Sequence, residues 1–152
     1  MPKQIKRGIY LLEMKAESNF RIEHPKFNDI VLPGGYYYYS GSAQKNLDHR
    51  IIRHLKKEKE THWHVDYLTT RKEIIIENIY QIPNLSKKSE CILIAKLLRN
   101  TGLESIINNF GSSDCKKCNS HLLYSKNKID QSHLFSLYQS TVLFIPSSRP
   151  ID

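Results

Sequence analysis

Three apolar or aromatic runs predict the strands of a sheet. Residues 7–14 are short, apolar and aromatic, which is typical of a strand with one or both faces covered. The four tyrosines at 36–39 follow a Pro-Gly-Gly turn and predict a second strand, and residues 71–82 predict a third that ends at Pro83. Two shorter runs before the tyrosines predict a hairpin, at residues 20–23 and 28–32.

The hydrophobic period changes from strand to helix after the tyrosines. Leu47, Ile51 and Leu55 recur every fourth residue and predict an amphipathic helix over residues 46 to about 60. Asn46 stands at its start, where an asparagine side chain can cap the first turn.

A second helix is predicted from Ser86 or Ser89 to Asn100, and its nearly continuous apolar residues predict that it is buried. A loop rich in Cys, Ser and Asn follows. The remaining apolar pieces are short and lie at residues 121–124, 134–138 and 142–145.

Length and charge narrow the classes of function. The chain has 152 residues with no linker or repeat, so we expect a single domain over 1–152, with a core at about 7–102 and a C-terminal extension at about 103–152. No run of about 18 apolar residues and no signal-peptide core is present, which favours a cytoplasmic protein without membrane association. The net charge of +8 favours a polyanionic partner such as nucleic acid.

Two tyrosines and one helix face carry the chemistry that phosphodiester hydrolysis needs. Tyr10 and Tyr39 would lie on adjacent strands, and a phenol becomes a usable base when nearby cations stabilise its phenolate. Arg50 and His54 are four residues apart and so share a helix face, where Arg can hold phosphate and His can transfer protons near neutral pH. From the residues alone, tyrosines packed in a sheet and a solvated basic helix remain an alternative.

Further candidates lie beside that face. Arg53 and Lys57 form a second pair at the same spacing and are expected to bind nucleic acid, as is His64 in the segment His62-Trp63-His64. Glu90 begins the apolar helix, where its carboxylate either holds a cation or only interacts with the helix dipole.

The cysteines allow two interpretations. An odd number in a chain without an export signal argues against a disulfide framework. Cys115, Cys118 and His121 have the spacing of one zinc half-site, with Cys91 elsewhere, but structural zinc sites usually show two half-sites. We therefore expect Cys115 and Cys118 to be reduced and without metal. The competing interpretation is a loop that returns to the active site and carries Ser113, Asp114, Ser120 and His121.

The order of several short motifs resembles the GIY-YIG nuclease superfamily. These motifs are Gly8-Ile9-Tyr10, Tyr39-Ser40-Gly41 and the helix start Asn46-Leu47-x-x-Arg50. Ser40 departs from the usual Ile or Val. The resemblance covers residues 8 to about 124 and is closest to one small uncharacterised branch, through Tyr39-Ser-Gly-Ser-Ala, Arg53-His54-Leu55, His62-Trp63-His64-x-Asp66-Tyr67-Leu68, Glu90-Cys91, Ser113-Asp114-Cys115 and Ser120-His121-Leu122.

This resemblance implies a fold, a site and an activity. The implied fold is α+β, with a three-stranded antiparallel sheet flanked by helices. The implied activity is metal-dependent endonuclease cleavage of nucleic acid, with DNA favoured over RNA, and Glu90 holding Mg²⁺ or Mn²⁺. Together with the residue chemistry, it makes the expected catalytic set Tyr10, Tyr39, Arg50, His54 and Glu90.

Two alternatives to an enzyme remain open from the sequence. One is a non-catalytic nucleic-acid-binding module, favoured by Ser40 and by the lack of a clear counterpart for a family asparagine. Three residues compete for that asparagine's place: Asn108, Asn109 and Asn119. The other alternative is a zinc-stabilised interaction domain.

Overall fold

The computed structural model describes residues 5–27, 29–111 and 118–146. Within these residues the fold is α+β, built on one antiparallel sheet of five strands. Its strands are β1 (Gly8–Ala16), β4 (Gly35–Ala43), β5 (Ile74–Pro83), β6 (Leu122–Ser125) and β7 (Val142–Phe144). They lie in the order β6-β4-β1-β5-β7. A separate hairpin pairs β2 (Phe20–Arg21) with β3 (Val31–Leu32), as expected from the sequence. The helices are α1 (Leu47–Leu55), α2 (Asp66–Thr69), α3 (Ser89–Asn100) and α4 (Gln131–Phe135).

The central strand β1 is covered on both faces. Side chains alternate along a strand, so Tyr10 and Leu12 face one core and Ile9 and Leu11 face the other. The first core includes apolar residues of α1 and α2, and the second includes those of α3 and α4. This three-layer packing explains why β1 is an almost uninterrupted apolar run, since neither face meets water.

The sheet is larger than the three strands expected. The C-terminal pieces at 121–124 and 142–145 supply β6 and β7, which pair with the outer edges of β4 and β5. These edges would otherwise expose unpaired backbone N–H and C=O groups. The third apolar piece, at 134–138, does not form a strand and instead overlaps α4. The Asp130 side chain caps this helix by accepting a hydrogen bond from the Ser132 N–H.

The helix α1 starts where expected but is shorter. Asn46 occupies the predicted N-cap position, with a positive φ of 55°, but its side chain makes no capping hydrogen bond. The helix ends at Leu55 because Lys56 is extended, with its N–H bonded to the Arg53 carbonyl. Lys57 is therefore beyond the helix, and the predicted helical pair of Arg53 and Lys57 does not form.

The helix α3 has the expected end at Asn100 and starts at Ser89, but it is not buried all round. Ile92 and Leu98 are 48% and 45% exposed, because only one side of the helix packs on the sheet. None of the helices in the described parts of the chain is long and apolar enough to cross a membrane.

Candidate active site

A cleft of about 680 Å³ contains side chains from β1, β4, α1 and α3. All five residues expected to form a catalytic set line it: Tyr10, Tyr39, Arg50, His54 and Glu90. They are spread over 80 positions of sequence, and only the packing of strands and helix starts brings them together. These five residues therefore lie on one concave surface.

Gly41 makes room for the Tyr10 ring. Tyr10 and Gly41 are directly opposite each other in the antiparallel register of β1 and β4. A Cβ atom at position 41 would lie 2.6 Å from the Tyr10 hydroxyl oxygen and its ring carbon, closer than any real contact. The glycine that ends Tyr39-Ser40-Gly41 therefore has a steric role, because it lets the Tyr10 phenol cross the neighbouring strand to reach the cleft.

Tyr10 and His54 form a buried pair. The Tyr10 hydroxyl and His54 Nε2 are 2.7 Å apart. Burial raises the pKa of Tyr10 well above its usual value, although Arg50 opposes this through its charge and a hydrogen bond. Burial, with the nearby charge of Lys59, lowers the pKa of His54 to about 3. Both groups are therefore neutral at neutral pH, and the expectation that His54 changes charge in that range is not met.

Arg50 is held in a fixed orientation beside this pair. Its Nη1 donates to the Ser42 carbonyl at 2.8 Å, and its guanidinium lies over the Trp63 ring at 4.4 Å. Lys45 and Lys87, two exposed residues that sequence analysis did not single out, also line the cleft. With Glu90 as the single carboxylate among the described lining residues, the cleft favours anions.

Glu90 is anchored at the start of α3 by two serines of β4. Ser42 Oγ donates to Glu90 Oε2, and Ser40 Oγ donates to the Glu90 carbonyl at 3.0 Å. On the other side, His121 Nδ1 lies 3.2 Å from Glu90 Oε1. Ser40 thus has a structural role, because its hydroxyl holds the backbone at the start of α3. The role of Ser42 was missed, although the alternation Ser40-Gly41-Ser42 places both hydroxyls on one face of a strand.

Tyr39 and His64 also line the cleft. Burial raises the pKa of Tyr39 well above its usual value, so it too is a phenol. His64 Nδ1 accepts a hydrogen bond from the Gly111 N–H at 2.8 Å, and burial lowers its pKa. A neutral imidazole that accepts at Nδ1 carries its proton on Nε2, so His64 keeps one donor.

Arg53 and Lys57 do not line the cleft. Arg53 makes two 3.0 Å hydrogen bonds to Asp66, a carboxylate that is 0% exposed and needs a charged partner. Lys57 Nζ donates to the carbonyls of Arg71, at 2.6 Å, and Ile74. These two side chains join α1 to α2 and to the start of β5, so the structure gives them a structural place rather than the expected one beside the phosphate site.

The loop before β6 returns towards Glu90, as one interpretation of the sequence expected. His121 contacts both Glu90 and the Cys91 sulfur, the latter at 3.1 Å. Cys91 is disulfide-bonded, which the cysteine count argued against. Other residues named for this loop lie outside the described residues: Ser113, Asp114 and Cys115. None of the three competing asparagines lines the cleft: Asn108, Asn109 and Asn119.

Comparison with known proteins places the chain in a family of unknown function. A family model described as "Domain of unknown function DUF123" matches residues 9–143. Comparison with curated proteins and with solved structures finds no significant match.

Proposed function

Because the chain belongs to the DUF123 family, whose function is unknown, we propose a function from its own site: metal-dependent hydrolysis of nucleic-acid phosphodiester bonds, with DNA as the preferred substrate. The observation that carries this proposal is the convergence of Tyr10, Tyr39, Arg50, His54 and Glu90 on one cleft. The resemblance to GIY-YIG nucleases assigned four of these positions a role before their proximity was known, and the helical spacing of Arg50 and His54 added the fifth.

The donor set fits a hard divalent cation at Glu90. Ser42 donates to one Glu90 oxygen, and His121 Nδ1 lies 3.2 Å from the other. A carboxylate oxygen has two acceptor positions, so each oxygen keeps at least one for a metal ion. Mg²⁺ binds through one or two carboxylates and keeps waters and phosphate oxygens as its other ligands. When bound, such an ion would neutralise charge on the phosphate and favour ionisation of the attacking water.

The chain's own residues would orient the phosphate and move the proton. Arg50, fixed by Ser42 and Trp63, would donate hydrogen bonds to the phosphate oxygens. Water would add to phosphorus as the bond to the leaving sugar oxygen breaks, with the water proton passing to the Tyr10–His54 pair and solvent protonating the leaving oxygen. His54 is neutral, so its Nε2 can accept the Tyr10 proton, provided that the negative charge of the bound phosphate offsets the burial and the neighbouring cations that lower the His54 pKa.

The experiment replaces Glu90 with glutamine. If Glu90 holds the metal, Glu90→Gln keeps the size of the side chain, removes its charge and should slow cleavage by at least a hundredfold, a loss of about 3 kcal/mol of transition-state stabilisation. DNA binding without metal should be unchanged or slightly tighter, because affinity comes from the cationic residues. Cleavage of labelled duplex, single-stranded, flap, junction and RNA substrates, each with Mg²⁺ and with Mn²⁺, measures the first effect and also identifies the substrate.

Glu58→Gln is the matched control, since Glu58 is exposed and outside the cleft. It should cleave at the wild-type rate. Near-wild-type cleavage by Glu90→Gln with only a lower melting temperature would show that Glu90 is a helix-terminal charge. A wild-type protein that binds DNA but cleaves none of the substrates would instead support the non-catalytic binding module.

A further inference from the structure

Three side chains of types that can ligate a metal come together beside Glu90. Cys91 belongs to α3, whereas Cys118 and His121 precede β6. The two sulfur atoms and one imidazole nitrogen all lie within 4.8 Å of one another, and Cys91 Sγ is 3.1 Å from His121 Nε2. A tetrahedral zinc ion, with bonds of about 2.3 Å to sulfur and 2.0 Å to nitrogen, separates its ligand atoms by about 3.5–3.8 Å. Small side-chain movements would therefore complete the geometry.

We propose that the reduced protein binds one zinc ion through Cys91, Cys118 and His121. Two thiolates and an imidazole are soft and borderline ligands, which select zinc-type ions over the Mg²⁺ expected at an oxygen site. The sequence contained only one apparent half-site. The second is Cys91, which is 27 positions before Cys118 and reaches it through the packing of α3 beside the loop before β6. This site does not depend on the proposed nuclease activity.

Glu90 is a positioning residue for this metal site. His121 turns Nε2 towards Cys91, while its other ring nitrogen, Nδ1, is 3.2 Å from Glu90 Oε1. A metal-bound histidine usually donates its second ring N–H to a carboxylate, which fixes the tautomer and the ring orientation. The same carboxylate lines the cleft, so the zinc site would hold one wall of the cleft in place.

Zinc binding requires reduction, because Cys91 is disulfide-bonded in the structure. A phosphine reductant breaks the S–S bond and is itself oxidised to the phosphine oxide, with water supplying the oxygen and the thiol protons. Binding of zinc then displaces one proton from Cys91 and one from Cys118. The oxidised protein should not bind the ion at this site.

Cobalt titration of the full-length protein tests the proposal without nucleic acid. Phosphine-reduced protein should bind one Co²⁺ with the thiolate charge-transfer and intense visible bands of tetrahedral sulfur coordination, and one equivalent of Zn²⁺ should displace it. Protein kept oxidised should show neither band. Reduced protein that shows no thiolate–cobalt band would overturn the proposal, as would equal binding by the oxidised protein.

Variants and thiol protection locate the ligands. His121→Asn should abolish the cobalt spectrum, whereas His133→Asn, at an exposed position of α4, should keep it. Glu90→Gln should weaken zinc binding by about 10–100-fold. If His121→Asn fails to fold, wild-type protein still decides: zinc should protect both Cys91 and Cys118 from alkylation, as mapped by peptide mass spectrometry. Protection of neither cysteine would refute the site, and unchanged zinc affinity in Glu90→Gln would refute the role of Glu90.

The outcome is separable from that of the cleavage experiment. Zinc binding with no cleavage of any substrate would leave the metal site in place and remove the nuclease. Cleavage by a protein that binds no zinc would support the nuclease activity and refute the zinc site.

Discussion

At the residue scale, burial sets the charge of the groups in the cleft. His54 is 1% exposed, and its only described side-chain hydrogen bond is to Tyr10. A charged imidazole there would lose its hydration and would face Arg50, Arg53 and Lys59, so the neutral form is strongly favoured. A histidine four residues after an arginine suggested a proton carrier with an ordinary pKa, whereas the structure makes it a neutral partner of a phenol.

The neutral His54 should make the free energy of unfolding depend on pH. The unfolded chain takes up a proton on His54 below about pH 6.5, while the folded protein does so only near pH 3. Stability should therefore fall as the pH decreases between these values, with His54 contributing up to about 1.4 kcal/mol per pH unit. Urea unfolding of His54→Gln across this range should show a shallower slope than wild type.

His49→Gln is the control for this measurement. His49 lies on the same helix but is exposed, so its replacement should leave the slope unchanged. Equal slopes for wild type and His54→Gln would mean that His54 titrates in the folded protein much as in the unfolded chain.

At the element scale, α1 presents two arginines with different tasks. Arg50 and Arg53 lie over the same Trp63 ring, each at 4.4 Å. Arg50 lines the cleft, whereas Arg53 neutralises Asp66 of α2. Burial raises the pKa of Asp66, but hydrogen bonds from Arg53 and from the backbone of His62 and Trp63 outweigh it and lower the pKa overall. The pair therefore contributes stability near neutral pH, which is lost as the pH falls through the lowered pKa.

Replacing each arginine by glutamine should separate these tasks. Arg53→Gln should lower the free energy of unfolding by about 2–3 kcal/mol, less than for a fully buried pair because the Arg53 side chain is 28% exposed. Its cleavage should stay near wild type at temperatures where the variant is folded. Arg50→Gln should lose cleavage with a smaller change in stability. Urea unfolding and cleavage rates on the same samples measure both effects.

The opposite result for Arg53→Gln would show that Arg53 binds nucleic acid. In that case Arg53→Gln would keep its stability and lose affinity for DNA, which the bidentate contact with Asp66 argues against.

At the scale of the whole molecule, part of the positive charge is concentrated at the cleft. The net charge of +8 is a property of the composition, but the cleft concentrates Lys45, Arg50 and Lys87 around one carboxylate. Local concentration of one sign of charge raises the encounter rate and the affinity for a polyanion. Lys57, which sequence analysis placed in this group, is instead bonded to backbone carbonyls.

Binding to duplex DNA should depend on salt through the release of counterions. If about four phosphates are contacted, log affinity should fall against log salt with a slope of roughly −3 to −4. Replacing both Lys45 and Lys87 by glutamine should make this slope shallower by about 2. The exposed Lys72, which does not line the cleft, provides the control Lys72→Gln with an unchanged slope. Fluorescence anisotropy at several salt concentrations measures the slopes, and a salt-independent affinity would refute electrostatic binding.

The elements that could be predicted from the amino-acid sequence are those whose signals are local. A continuous apolar run, a Pro-Gly-Gly turn before four tyrosines and a four-residue hydrophobic period reflect backbone preferences and the burial of each segment, so β1, β4, β5, α1 and α3 were predicted close to their places. The five candidate catalytic residues of the cleft can also be named from the sequence, four through the order of short motifs and His54 through its helical spacing from Arg50. Apolar pieces of four or five residues carry too little local signal, and one of the three overlaps a helix.

The contacts that each side chain makes depend on how remote segments pack together. Glu90 was named from its place at a helix start, but its contacts with Ser42 and His121 join segments 48 and 31 positions away. Cys91 and Cys118 likewise lie close together because of packing. Arg53 was expected to bind nucleic acid but instead forms hydrogen bonds to the buried Asp66. Charge state and ligand sets depend on distances of a few ångströms between remote segments, since desolvation and Coulomb interactions act through space. Sequence spacing reports such distances only within one helix or strand.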